Sequence, residues 1–239
     1  MDSTRFPGKP LKNILNKPMV GHVYDRVRIC DILTKTVVAT CDQDIADYIN
    51  SINGQYVMTG NHHTRATERC AEALEILEEK EKNKYDIVVM VQGDEPMVLP
   101  DMINNVINPI IDNSDILVTN LYGKIETDKE LKDCNVVKVV CDLENNAMYF
   151  SREPIPNGVN GANCDSFKQY GIIAFQRDFL MKYINMEPTY LEKAESIDML
   201  RILEHGLKLK MVLTEHNIFT IDTPEELCQV EKLMKDLMP

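Results

Sequence analysis

Short runs of β-branched residues alternate along this chain with segments whose apolar residues recur at helical spacing. Residues 36–40 and 86–91 are runs of the kind found in strands that are buried on both faces, and such strands pair in parallel. Val20, Val23 and Val27 follow a proline at helical spacing, which predicts a helix that begins near that proline. This alternation predicts an α/β fold.

The second half of the chain predicts strands with no long helix between them. Candidate strands are residues 136–140, 147–150 and 170–175, and the pair 145–146 is a natural hairpin turn between the first two. Residues 153–165 are rich in Pro, Gly and Asn and predict a loop over a site. We therefore expect a mixed-strand insertion in the α/β domain.

Two helix ends carry explicit signals. Asn53-Gly54 closes a short helix, because both residues tolerate the left-handed conformation that a helix end needs. The last helix begins with Thr223 as N-cap, Pro224 at the first helical position and Glu226 three residues after the cap.

Composition narrows the classes of function. With 239 residues, 44% of them hydrophobic, the chain can bury a full-sized core. Lys and Arg number 26 against 38 Asp and Glu, so a net charge of −12 argues against nucleic acid or an anionic membrane as main partner. The seven cysteines form no C-x-x-C pair of the kind found in metal or redox sites. The sequence also has no run of roughly 18 apolar residues, which a membrane span needs, and no signal-peptide pattern. We therefore expect a cytoplasmic protein with reduced cysteines.

Three segments could carry chemistry. Arg5 and Lys9 flank a Pro/Gly turn that can present both cations to a triphosphate, although the spacing is not that of a Walker loop and a solvated turn is the alternative. Asp94 follows a predicted strand, where ligands collect in open sheets, and its carboxylate suits Mg²⁺. Asp222 offers a second carboxylate, unless it simply assists the cap of the last helix.

Four sequence blocks carry a family resemblance: S-T-R-F-P-G-K-P-L, V-Q-G-D-E-P, N-V-V-K-V-V-x-D-x-x-x-x-A-M-Y-F-S-R-x-P-I-P and I-D-T-P-E-E. They occur in the same order and at similar separations in the CMP-Kdo synthetases, or 3-deoxy-manno-octulosonate cytidylyltransferases, and the resemblance covers nearly the whole chain. It implies a Rossmann-like nucleotidyltransferase sheet with a small mixed α+β lobe for dimerisation and sugar binding. We accordingly expect a single domain over residues 1–239, with the lobe at about 120–190.

The resemblance also implies an activity. The chain would transfer CMP from CTP to the anomeric hydroxyl of Kdo or a Kdo-like acid sugar and release pyrophosphate, as a homodimer. Arg5 and Lys9 would hold the phosphates, and Asp94 and Asp222 would hold one or two Mg²⁺ ions. Metal and cations would neutralise the charge that develops on the leaving group.

Other matching positions concern the substrates. Arg69 and Arg152 match family arginines near the acid sugar, where planar guanidinium groups suit a carboxylate. Gln92 matches a polar residue near the nucleotide. Glu195 and Asp198 match acidic positions on a helix that borders the sugar pocket. A surface ion pair or a solvated helix face is the alternative in each case.

The chain departs from the family pattern in two main places. Gln169 stands where the family commonly has a histidine, and since an amide cannot become cationic, the sugar could be an amino-Kdo. The first buried strand of the family is absent before the Ser-Thr-Arg block. We therefore expect either that the real start lies upstream or that the protein is shortened and weakened as an enzyme.

Competing functions remain open at this stage. One is a cytidylyltransferase for a sialic or pseudaminic acid, and another is a binding protein without catalysis. A nicotinamide oxidoreductase fits poorly, because no G-x-G-x-x-G follows a strand. His62-His63 lack the usual ligand spacing of a metal site and are more typical of a solvated loop.

Overall fold

The computed structural model describes residues 6–158 and 164–236, so the predicted phosphate ligand Arg5 and part of the predicted loop at 153–165 lie outside the described residues. The strands, in chain order, are β1 (Asn13–Ile14), β2 (Lys17–Pro18), β3 (Val38–Thr40), β4 (Tyr56–Met58), β5 (Ile87–Val91), β6 (Val118–Lys124), β7 (Lys138–Cys141), β8 (Ala147–Ser151), β9 (Phe167–Gln176) and β10 (Lys210–Thr214). The helices are α1 (Met19–Val27), α2 (Gln43–Ser51), α3 (Ala66–Glu81), α4 (Pro100–Asp112), α5 (Asp128–Lys132), α6 (Arg177–Ile184), α7 (Tyr190–Glu195), α8 (Leu200–Glu204) and α9 (Pro224–Asp236). The predicted α/β class is confirmed.

The chain forms two compact units. Unit 1 consists of residues 1–84, 91–104 and 218–239, and unit 2 of residues 85–90 and 105–217. The predicted sugar-binding lobe falls inside unit 2, and its role stays a prediction.

In unit 1, β3 and β4 pair in parallel and α2 connects them. The Asp42 side chain caps α2 by accepting a 3.1 Å hydrogen bond from the backbone N–H of Asp44. Asn53 follows the helix with a φ of 54°, which is the left-handed conformation predicted for this end. The predicted helix after Pro18 is α1, and its Val20 and Tyr24 pack against apolar residues of α2.

The prediction that residues 36–40 and 86–91 are buried on both faces is wrong. In β3 only Thr40 is buried, and in β5 only Met90. Among the described residues, β3 pairs only with β4 and β5 only with β9, so each is an edge strand, and the faces of an edge strand are less completely covered than those of a central one.

The amphipathic helix α9 closes a second core in unit 1. Its Val230 and Met234 pack with Phe6, Met19 and Ile221, all of them buried. This packing anchors two separate segments, because Phe6 lies three residues before Lys9 and Ile221 directly before Asp222.

Unit 2 contains a mixed sheet with the order β10-β6-β9-β7-β8, and β5 also pairs with β9. β10 runs parallel to β6, whereas β6 with β9, β9 with β7 and β7 with β8 are antiparallel. Asn145 has a φ of 57° in the turn between β7 and β8, so the predicted hairpin is confirmed. None of the helices in the described parts of the chain is both long and apolar enough to cross a membrane.

Candidate active site

Lys9 joins two aspartates that are far apart in the sequence. Its Nζ lies 2.7 Å from Asp94 Oδ2 and 3.0 Å from Asp222 Oδ1. The two carboxylate oxygens are therefore no farther apart than the sum of these distances, about 5.7 Å. All three side chains are mostly buried, with exposures of 12%, 17% and 23%. The structure thus brings the predicted pair of carboxylates together, and their role as metal ligands stays a prediction.

A tight turn presents Lys9 to these carboxylates. Gly8 has a φ of 70° and a ψ of 15°, a left-handed conformation that glycine adopts without strain. The backbone N–H of Lys9 donates to the carbonyl of Phe6 at 3.1 Å, and that of Leu11 donates to the carbonyl of Gly8 at 3.0 Å. Since Phe6 is buried in the core, the turn is anchored and the ammonium has a defined position.

Backbone contacts position the two aspartates. The N–H of Ile221 donates to the carbonyl of Asp94 at 3.0 Å, which ties the segment after β5 to the start of α9. The Glu226 carboxylate accepts from the N–H groups of Asp222 and Thr223 at 2.7 and 2.9 Å, and the Thr223 hydroxyl accepts from the N–H of Glu226 at 3.3 Å. The predicted capping box is confirmed, and it leaves the Asp222 carboxylate directed at Lys9.

The electrostatics favour a charged cluster. Burial by itself lowers the pKa of Lys9, but the charges and hydrogen bonds of Asp94 and Asp222 outweigh it and raise that pKa above the ordinary value. Asp94 Oδ1 is buried without a hydrogen-bond partner, which is costly for a carboxylate oxygen. A carboxylate oxygen without a hydrogen-bond partner and a second carboxylate nearby are oxygen donors of the kind that Mg²⁺ prefers. The residues therefore fit this ion.

Two of the residues predicted to bind the substrates, Gln92 and Arg69, lie in unit 1. Gln92 is exposed directly after β5, and its backbone carbonyl accepts from the N–H of Glu95 at 3.3 Å. A Cβ added at Gly93 would have no heavy atom within 4 Å, so there is open space beside this segment. Arg69 on α3 donates through Nη1 to Thr59 Oγ1 at 2.6 Å.

Arg152 and Glu195 are engaged with each other in unit 2. The Arg152 Nε donates to the carbonyl of Glu195 at 2.6 Å and its Nη2 to the carbonyl of Ser196 at 3.2 Å. The Glu195 carboxylate accepts from the backbone N–H of Arg152 at 2.9 Å and from the Tyr149 hydroxyl at 3.2 Å. Both side chains therefore fasten the end of α7 to β8, and their contact with an acid sugar stays a prediction.

The prediction that Glu195 and Asp198 lie on one helix is wrong. Glu195 is the last residue of α7, and Ser196 follows with a φ of 54°, which ends the helix. Asp198 lies in the turn before α8, and its carbonyl accepts from the Tyr183 hydroxyl at 3.0 Å. Gln169 on β9 donates to Asn120 Oδ1 at 2.6 Å, so this amide is linked to the neighbouring strand β6.

One group was missed by the reasoning from sequence. Glu72 on α3 accepts a hydrogen bond from His63, and the ring of His62 lies against that of His63, with centroids 4.1 Å apart and planes tilted by 43°. The adjacent histidines lack the usual ligand spacing, so the sequence predicts a solvated loop at this place. The third residue lies on the second turn of α3, and only the folded path of the loop before that helix reveals its proximity.

Comparison with known proteins identifies similar chains. The sequence model of the cytidylyltransferase family matches residues 1–212. The 3-deoxy-manno-octulosonate cytidylyltransferase of Geotalea uraniireducens (strain Rf4) is 39% identical, with 98% of this chain and 95% of the relative covered. The enzyme of the same name from Fusobacterium nucleatum subsp. nucleatum is 40% identical, with 98% and 93% covered. A solved CMP:2-keto-3-deoxy-manno-octonic acid synthetase complexed with CTP aligns with a TM-score of 0.87 and 32% identity over 98% of this chain and 95% of that chain.

Proposed function

This chain belongs to the cytidylyltransferase family, and from that premise we propose that it transfers CMP from CTP to the anomeric hydroxyl of Kdo, with release of pyrophosphate. The observation that carries the proposal is the likeness over 98% of the chain to a structure that was solved with CTP. The cluster of Lys9, Asp94 and Asp222 supports it, because phosphoryl chemistry needs cations and metal-binding carboxylates at one place.

We propose that Asp94 and Asp222 hold Mg²⁺ in the working enzyme. The buried Asp94 Oδ1, which has no hydrogen-bond partner, supports this assignment. When bound, the ion would supply positive charge for the α-phosphate and the leaving pyrophosphate. The two aspartates act by fixing its position, since β5 and the capped start of α9 hold them rigidly.

The contacts of Lys9 suggest one role before a divalent ion is bound and a second role afterwards. Without a divalent ion, its ammonium compensates the charge of both aspartates. Because those carboxylates raise the Lys9 pKa, the side chain keeps its proton at neutral pH. We infer that Lys9 would bind phosphate oxygens in the loaded enzyme, where a divalent ion would balance the charge of the aspartates, and that Arg5 would contribute a second cation to the triphosphate.

The remaining predicted residues would serve recognition. Arg69 and Arg152 would face the carboxylate of the acid sugar, and Gln92 the nucleotide. Gln169 favours an amino-Kdo as a second candidate substrate, because an amide in place of a histidine can accept from an amino group without carrying charge. We further propose a homodimer in the cytoplasm, to be checked by light scattering on the purified protein.

The test measures pyrophosphate release from CTP and Mg²⁺ with Kdo, an amino-Kdo, a sialic acid and a pseudaminic acid. We expect turnover with Kdo or amino-Kdo, and a loss of roughly 100-fold or more in Asp94→Ala, since an electrostatic group at a reaction centre contributes that much. The control is Asp178→Ala, whose side chain is 91% exposed. Calorimetric binding of CTP without turnover on any of the four sugars would instead indicate a binding protein.

A further inference from the structure

His62, His63 and Glu72 form a cluster in unit 1 that the transferase chemistry does not use. One ligand atom from each residue, an imidazole nitrogen or a carboxylate oxygen, can be chosen so that all three atoms lie within 4.8 Å of one another. His62 is exposed, whereas His63 and Glu72 are partly buried. The cluster is thus reachable from solvent and yet held by its surroundings.

Gly60 supports two of the three side chains. Its backbone N–H donates to both oxygens of Glu72, at 3.1 and 2.9 Å, which fixes the orientation of the carboxylate. A Cβ at this position would lie 2.4 Å from His62 Nδ1, so the imidazole occupies the space that any other residue would fill. Arg69 in turn donates to the Gly60 carbonyl at 3.1 Å. The backbone at residue 60 therefore shapes the cluster.

A second carboxylate lies behind His63. The Nε2 of His63 contacts Glu72, while the Nδ1 of His63 lies 3.9 Å from Oε2 of this second carboxylate, Glu68. This separation is too long for a hydrogen bond, but a small movement of Glu68 would let its carboxylate accept from the ring N–H, as carboxylates do beside histidine ligands of metal ions. His63 and Glu72 are thus placed to act as ligands.

We propose that His62, His63 and Glu72 bind a divalent transition-metal ion of the Zn²⁺ class, with water as the fourth ligand. Two imidazoles and one carboxylate suit Zn²⁺ and its neighbours, whereas Mg²⁺ prefers oxygen donors alone. Zinc–ligand bonds of about 2.0–2.1 Å place tetrahedral ligand atoms about 3.3 Å apart. Small side-chain rotations would bring the three atoms from their present separations to that spacing, and the ion would replace the proton between His63 and Glu72.

Metal binding at this cluster would act on the stability of the fold, independently of catalysis. An ion at this site would join the loop at residues 60–63 to α3, the helix that carries Arg69. It would therefore stabilise the folded chain in proportion to its concentration, because it binds the folded state and not the unfolded one.

The experiment titrates the metal-stripped full-length chain with Co²⁺, whose visible absorbance reports its ligands. With excess Mg²⁺ present to occupy the aspartate pair, we expect one Co²⁺ ion per chain, no thiolate charge-transfer band despite the free cysteines, and an upward shift of the melting temperature. In His63→Ala and Glu72→Gln the affinity should fall at least about tenfold, as loss of metal-site residues typically produces. His205→Ala is the matched control, since this exposed histidine lies in unit 2 and should leave the titration unchanged.

Two further arms separate this site from the aspartate pair. Asp94→Asn should retain Co²⁺ binding even though its turnover is lost, so failure of the transferase proposal and failure of this one are distinguishable. Gly60→Ala should weaken Co²⁺ binding without removing a ligand, and circular dichroism checks that it folds. Unchanged affinity in both His63→Ala and Glu72→Gln, or a thiolate band in the wild type, would overturn the proposal.

Discussion

Replacing Lys9 with methionine removes the cation that Asp94 and Asp222 share while keeping much of the volume of the side chain. The two carboxylate oxygens are at most about 5.7 Å apart. At an effective dielectric constant of about 20, their repulsion is then about 3 kcal/mol or more. Side chains that are 17% and 23% exposed can turn partly towards water, which reduces the cost. We therefore expect the free energy of unfolding to fall by about 2–3 kcal/mol at neutral pH without divalent ions.

The assay is urea unfolding followed by far-UV circular dichroism in the presence of a chelator, because the chain has no tryptophan to report by fluorescence. Lys35→Met is the matched control, since Lys35 pairs with the single carboxylate of Glu81 and should cost about 1 kcal/mol or less. Added Mg²⁺ should stabilise Lys9→Met more than the wild type, as no ammonium then competes for the aspartates. The reasoning is refuted if Lys9→Met costs no more than the control, or if Mg²⁺ stabilises both proteins equally.

Two further predictions concern charge. Since the aspartates raise the pKa of Lys9 above 10.5 against the opposing effect of burial, the stability advantage of the wild type over Lys9→Met should be complete below that pH and vanish as the pH rises past the folded-state pKa. Unfolding free energies measured between about pH 8 and 12 test this, and a constant difference would contradict it. Arg201 and Glu192 form a buried pair, 4% and 2% exposed, so Arg201→Met should cost about 3–5 kcal/mol by stranding a charge. Adding Glu192→Gln should recover part of this in thermal unfolding, and a single variant as stable as the wild type would argue against it.

Elements with local signals were predicted well from the sequence. The start of α9 follows from Thr223, Pro224 and Glu226, because a capping box needs only residues within one turn. The turn at Asn145 follows from a residue type that tolerates positive φ. The prediction that β3 and β5 are buried on both faces was wrong. Burial depends on which elements cover a strand, and no local pattern contains that information.

In the candidate site, too, features with a local signal were predicted and features that depend on tertiary contacts were not. The approach of Asp94 to Asp222 was expected from the resemblance and from their positions next to a strand end and a helix start. The position of Lys9 between them was not, because a cation beside a triphosphate and a cation between two carboxylates have the same local sequence. Asp198 was misplaced because a serine, which has no special preference for the left-handed conformation, ends α7 at residue 196.

The two proposed cation sites differ in donor chemistry, so each should discriminate differently between Mg²⁺ and Zn²⁺. The site of Asp94 and Asp222 offers oxygen only, which suits Mg²⁺ but does not reject a transition metal that binds carboxylates more tightly. The site of His62, His63 and Glu72 offers two nitrogens, which Mg²⁺ has little tendency to take. Mg²⁺ should therefore leave the histidine site to Zn²⁺, whereas excess Zn²⁺ should compete at the aspartates as well. Inhibition by Zn²⁺ should accordingly persist in His63→Ala and be relieved by raising Mg²⁺.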